Sequence, residues 1–195
     1  MTKAQTKFHF SPRQNRAHEI NWREWSPEAF QEAKAQDKPI LLSLSAVWCH
    51  WCHVMDETSY SDPGVISYIN EHYVPVRVDN DQRPDINARY NMGGWPTTAF
   101  LTPEGELMTG GTYIPPESML EHLPKIAVQY KSNKDDITRK LEEMRQRRAE
   151  AAGQRGDLSP GIFDSVVRAI GQSYDPVFGG FGEAPTFPHT DSNDL

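Results

Sequence analysis

The stretch ILLSLSAVWCHWC, residues 40–52, constrains this chain more than any other: an apolar run leads straight into a close pair of cysteines. ILLSLSAV has strand length and calls for burial on both faces, as a strand inside a sheet does. Upstream, Ser26 reads as the N-cap of a helix over 26–37, with Pro27 at its first position and Glu28 in its first turn. Ala29, Phe30 and Ala33 form its apolar stripe, and DKP ends it. The cysteines should open a second helix. After it, YVPVRVDN (73–80) alternates apolar and polar residues and reads as a strand. RPDINARYNM follows as a short helix opened by Pro84, and GGWPTTAFL (93–101) turns into a third strand. TPEGELM signals a hairpin through Pro103 and Gly105, GGTYIPP closes it, and PESMLEHLPKIAVQYK reads as an amphipathic helix. The order is helix, strand, helix, strand, helix, strand, strand, helix. It predicts an α/β fold: a mixed central sheet with helices on both faces and an antiparallel hairpin at one edge. The junction between the first strand and the next helix is where such sheets place their chemistry.

Twenty Lys and Arg against 27 Asp and Glu leave a net charge of −7, which argues against nucleic acid as a partner, because phosphate binding needs a basic field. The first 30 residues hold no apolar run of signal-peptide length. No run approaches the roughly 18 residues that span a bilayer. The expectation is a cytoplasmic protein with no membrane contact. The 195 residues suffice for one ordinary domain and an extension. Residues 1–132 are read as the α/β domain and 133–158 as a charged, solvated helix and linker. Residues 159–195 hold a further helix, GIFDSVVRAIGQSYD, and a loop, too little to bury a core of their own. They are expected to pack on the first domain or to open a second one.

Both cysteines of the chain, Cys49 and Cys52, stand in this motif, each preceded by a tryptophan and followed by a histidine. CHWCH matches the C-x-x-C-H pattern of covalent haem attachment. That chemistry needs an export route, an apolar pocket and usually a second axial ligand, and here the motif sits at a strand-to-helix junction. Zinc is a second reading, since Cys49, Cys52 and His53 at i, i+3 and i+4 share one helix face. A tetrahedral site would need His50 or a remote residue as fourth ligand, and the chain has no second cysteine pair. The third reading is redox. A cysteine at a helix N-terminus lies near unpaired N–H groups and the positive end of the helix dipole, which favours the thiolate. On this reading Cys49 is exposed and attacks, while Cys52, one turn in, is shielded and resolves the mixed disulfide. GGWP supports it independently, because a proline suits the first residue of a strand. A cis Trp95–Pro96 bond would set backbone beside the sulfur to pair with an extended substrate segment. Trp95 and Pro96 are therefore candidate substrate-binding residues. His50, Trp48, Trp51 and His53 are candidates for tuning the pair, although Trp51 and His53 also fit plain packing roles. Trp48 is expected to shield the sulfur and cover core together. RVDNDQRPD reads as turns and N-caps rather than a metal site.

ILLSLSAVWCHWC, with WPTTAFL beginning 43 residues after Cys52, resembles the thioredoxin fold. More narrowly, KPILLSLSAVWCHWCHVMDETSYSD, VPVRVDNDQRPDINARY, GGWPTTAFLTPEGEL and GGTYIPPES resemble the thioredoxin-like N-terminal domain of the spermatogenesis-associated protein 20 family, over about residues 15–130. The resemblance implies a thiol–disulfide oxidoreductase acting on protein or small-molecule disulfides and dithiols, with an unidentified reductant or oxidant. The dithiol is itself the redox group, so no bound cofactor is expected. A helical α/α-toroid domain follows in that family, and YDPVFGGFGEAPTFPH looks like its start. The rival reading is a non-catalytic binding or regulatory module, including a version with zinc at the Cys/His cluster. Two positions depart from the pattern. Thioredoxin has an aspartate where this chain has Ser43, so the proton relay to the resolving cysteine must be absent or supplied by Asp79, another group or a water. Only Asn91 and Met92 separate Tyr90 from Gly93, where family members carry a longer segment.

Overall fold

The structure is a computed structural model that describes residues 8–132, 134, 139, 143, 146–147, 149–150, 161–177 and 179–181. Helix α1, Pro27–Gln36, begins where Ser26 Oγ accepts the Ala29 N–H at 3.4 Å and proline fills the first position. It ends at Asp37, whose φ of 50° turns the chain out of the helix. Strands β1 (Ile40–Ser45), β2 (Val74–Asp79), β3 (Thr97–Leu101) and β4 (Leu107–Gly111) form one sheet in the order β2-β1-β3-β4. β1 runs parallel to β2 and antiparallel to β3, and β3 pairs antiparallel with β4. The apolar run thus becomes a central strand, and all of its residues are buried.

The period-2 alternation of the strands divides the core in two. Ile40, Leu42 and Leu44 join the β2 valines on one face, under α1 and α4 (Pro84–Tyr90). Leu41 and Phe100 lie on the other, beneath α2 (His50–Glu57), α3 (Pro63–His72) and α5 (Pro116–Ser132). Helices cover both faces, as the element order predicts. In the β3–β4 hairpin Gly105 takes a φ of 82°, and a Cβ there would stand 3.2 Å from the Phe30 ring. Glycine meets both demands.

The connection from β1 to β2 departs from the expected single helix. It consists of α2, a 3-10 turn over Ser59–Ser61, and α3. The break is made by Asp62, whose Oδ1 accepts the Val65 N–H at 3.0 Å, with Pro63 opening the new helix. Asp62-Pro63 is the same cap-then-proline signal as Ser26-Pro27. The polar position at the middle of β2 does not face solvent either: Arg77 is buried, turned into a polar layer under α2.

The chain divides into two compact units, Met1–Glu143 and Met144–Leu195. In the second, α6 (Gly161–Ser173) precedes an isolated bridge pairing Tyr174 with Phe181. Most of the expected charged helix and linker at 133–158, and the loop from 182 onward, lie outside the described residues. No helix among the described residues is long and apolar enough to cross a membrane.

Candidate active site

Where β1 ends, the chain turns at Ala46–Trp48 and enters α2 with Cys49 as its N-cap. The Cys49 N–H donates to the Ala46 carbonyl at 3.1 Å, and the Cys49 sulfur accepts the Cys52 N–H at 3.1 Å. Sulfur does here what a serine or aspartate oxygen does at most helix starts. Cys49 and Cys52 are joined as a disulfide. Contrary to expectation, Cys49 is not exposed: 6% of its surface is accessible against 2% for Cys52. Both pack with Ala46 against the Trp95 ring, which the β3 loop brings over the first turn of α2.

Trp48 is also placed otherwise than expected. It covers no core and is 61% exposed, with its ring edge-on to Trp95 at 5.5 Å and its Nε1–H donated to Asp81 Oδ2 at 2.9 Å. Trp51 is exposed as well and meets Tyr113 and His50 at ring distances of 5.2 and 5.9 Å. His50 is exposed beside it, while His53 is half-buried. On the opposite wall the Trp95–Pro96 peptide is cis, Pro96 is buried, and Trp95 Nε1–H donates to Asn87 Oδ1 at 3.0 Å. The short Asn91–Met92 connection holds this loop. Asn91 Oδ1 accepts the Gly93 N–H at 2.7 Å, and Thr97 Oγ1 accepts the Met92 N–H at 3.1 Å.

Beneath α2 lies a buried polar layer that the sequence reading missed. Arg77 donates to both carboxylate oxygens of Asp56, at 2.8 and 2.9 Å, with both side chains almost wholly buried. Asp56 also accepts the Ser11 N–H at 3.0 Å, and Arg77 reaches the His9 carbonyl at 3.1 Å and Ser45 Oγ at 3.3 Å. Phe10 and Trp22 cover the guanidinium at 4.7 and 5.6 Å. Ser43 stands directly between Arg77 on β2 and Thr98 on β3 in the sheet register. Its buried hydroxyl has no hydrogen-bond partner among the described residues. Tyr60 bonds Thr98 Oγ1 at 3.0 Å, and burial raises its pKa overall. The available signals were an arginine inside an apolar strand and an aspartate four residues after Cys52.

Asp79, named above as a substitute for the missing strand carboxylate, accepts the Asp81 N–H at 2.9 Å within its own turn. It lines a cavity of ≈ 290 Å³ at the carboxyl ends of β1 and β2, together with His9, Trp25, Val47, Arg77 and Arg83. Among the described residues no group of three or more His, Cys, Asp or Glu side chains is placed to hold a metal ion.

A family model described as a protein of unknown function, DUF255, and labelled Thioredox_DsbH, matches residues 5–148. Spermatogenesis-associated protein 20 of Rattus norvegicus is 35% identical over 193 residues, covering 87% of this chain and 24% of that protein. The thiol:disulfide interchange protein DsbD of Campylobacter jejuni is 27% identical over 97 residues, covering 48% of this chain and 17% of that protein. The solution structure of a thioredoxin from Thermus thermophilus is similar with a TM-score of 0.51 and 25% identity, over 57% of this chain and 89% of that one. The sheet and helices of the first unit are the thioredoxin fold. The chain spans about a quarter of the length of the curated relatives it matches over most of its own.

Proposed function

This chain belongs to the DUF255 family of thioredoxin-like proteins, and we propose that it is a thiol–disulfide oxidoreductase built on Cys49 and Cys52. The observation that carries the reading is the disulfide at the N-terminus of α2, with the Cys49 sulfur already accepting a helix N–H. In the reduced protein the same N–H and the unpaired donors beside it favour the Cys49 thiolate. Cys49 attacks a substrate disulfide and one substrate sulfur leaves. Cys52 then attacks the mixed disulfide, releasing the reduced substrate and reforming the internal bond. Trp95 and Pro96 line the groove for an extended substrate segment. Trp48, His50, Trp51 and His53 surround the pair and tune its potential.

The substrates are protein or small-molecule disulfides and dithiols, with a separate reductant or oxidant completing the cycle. DsbD, similar to 48% of this chain, is described as a thiol:disulfide interchange protein, which supports the reading. The cytoplasm is the proposed compartment. Residues 1–132 are the redox domain on this view, and residues 159–195 begin a second domain. The test is dithiothreitol-driven reduction of insulin, together with a redox titration in glutathione buffers. Cys49→Ser is expected to abolish turnover, and Cys52→Ala to trap mixed disulfides on Cys49. A Cys49→Ser protein that keeps every thiol-exchange activity of the wild type removes the oxidoreductase reading in favour of a binding module.

A further inference from the structure

To resolve a mixed disulfide Cys52 must attack as a thiolate, so its proton has to leave first. Cys52 is 2% exposed, so solvent is a poor direct acceptor. Among the described residues Asp56 is the only buried carboxylate, at 1% exposure. It stands four residues after Cys52 on α2, and both point to the buried side of that helix. At this spacing the two Cβ atoms lie about 5–6 Å apart. The Asp56 oxygens are not equally occupied. Oδ2 accepts from Arg77 Nη2 and from the Ser11 N–H, whereas Oδ1 accepts only from Arg77 Nη1. An ionised carboxylate has about four lone-pair sites, so Oδ1 has room for a proton. Ser43, in the sheet below, holds only a hydroxyl and cannot carry the charge.

We propose that Asp56, held by Arg77, takes up the Cys52 proton when the mixed disulfide on Cys49 is resolved. This rests on the oxidoreductase reading above. The Cys52 S–H bond breaks and its proton passes to Asp56 Oδ1, directly or across one bridging water. The Cys52 sulfur attacks the Cys49 sulfur, the bond from Cys49 to the substrate sulfur breaks, and the substrate leaves as a thiolate that is then protonated. Asp56 afterwards returns its proton to solvent. The transfer leaves the net charge of the buried layer unchanged, but it moves the negative charge off the carboxylate that Arg77 holds, so the pairing with Arg77 adds to the cost of the step. The other titratable groups around Asp56 have different tasks. Burial keeps Tyr60 protonated beyond its ordinary range, Glu57 is bound to Ser11 and Arg13, and His53 faces Glu57.

The test follows the two releases of 2-nitro-5-thiobenzoate when the reduced full chain reacts with Ellman's reagent in stopped flow. The first release reports attack by Cys49 and the second reports resolution by Cys52. In Asp56→Asn the first is expected to stay within about twofold of wild type. The second is expected to slow by at least about tenfold at pH 7, with the deficit closing toward pH 9 as hydroxide replaces the carboxylate. Should asparagine leave Arg77 stranded and the fold lost, Asp56→Asn/Arg77→Met removes both charges and is read by the same criterion. A folded variant whose second release keeps the wild-type rate overturns the proposal. So does one slowed equally at every pH, which is the signature of a helix merely displaced. Failure of the oxidoreductase reading shows separately, as wild-type protein without Cys49-dependent insulin reduction.

Discussion

Arg77→Met should destabilise the first unit by about 3–5 kcal/mol, the usual loss when one partner of a buried ion pair is removed. The side chains are 4% and 1% exposed, so water cannot replace the missing cation. Asp56 would keep one of its three hydrogen bonds, that from the Ser11 N–H. Methionine retains much of the aliphatic stem but loses the guanidinium contacts with Phe10 and Trp22, worth about 0.5–2 kcal/mol. Folded domains have about 5–15 kcal/mol in hand, so from about a fifth of the stability to nearly all of it is at stake. The assay is urea unfolding followed by far-ultraviolet circular dichroism at pH 7. Asp56→Leu/Arg77→Met strands no charge and should recover most of the loss. A single variant that costs less than about 1 kcal/mol at pH 7, or a double variant no more stable than the single, would refute the reasoning.

Burial raises the phenol pKa values of Tyr60, Tyr73 and Tyr130 above their ordinary range. A raised folded pKa gives stability that is complete below the unfolded value and is lost as pH climbs past it, so the fold should weaken above about pH 10. Tyrosinate absorbance is then expected to appear together with loss of circular dichroism; phenols that ionise well before unfolding would contradict this. Asp62→Ala should cost about 1 kcal/mol and Ser26→Ala less, because their capping bonds measure 3.0 and 3.4 Å. Urea midpoints at unchanged slope decide it, and equal or reversed costs count against the assignment.

Features set by near neighbours in the chain were legible before any coordinates. Ser26-Pro27 marks the start of α1, the apolar run marks β1, and a cysteine pair directly after a strand marks the N-terminus of α2. The missed break between α2 and α3 was also local, and its Asp62-Pro63 signal was present in the sequence. The accessibility of the site was not local. Whether Cys49 is open depends on Trp95, which arrives from the loop before β3 and folds over the first turn of α2. Trp48 is held outward by Asp81 in the turn that follows β2. The Asp56–Arg77 pair joins residues 21 apart, and its Ser11 contact spans 45.

The sequence by itself determined the helix starts, the central strand and the placement of two thiols at a helix N-terminus, because capping, backbone φ and side-chain periodicity act within a few residues. Tertiary structure alone decided that the first sulfur is nearly covered, that a tryptophan pair flanks it, and that a charged aspartate lies buried one turn beyond Cys52. Burial and charge compensation depend on which segments the sheet order brings together. An arginine in a strand is a solvated side chain or a buried cation according to the helix that packs above it.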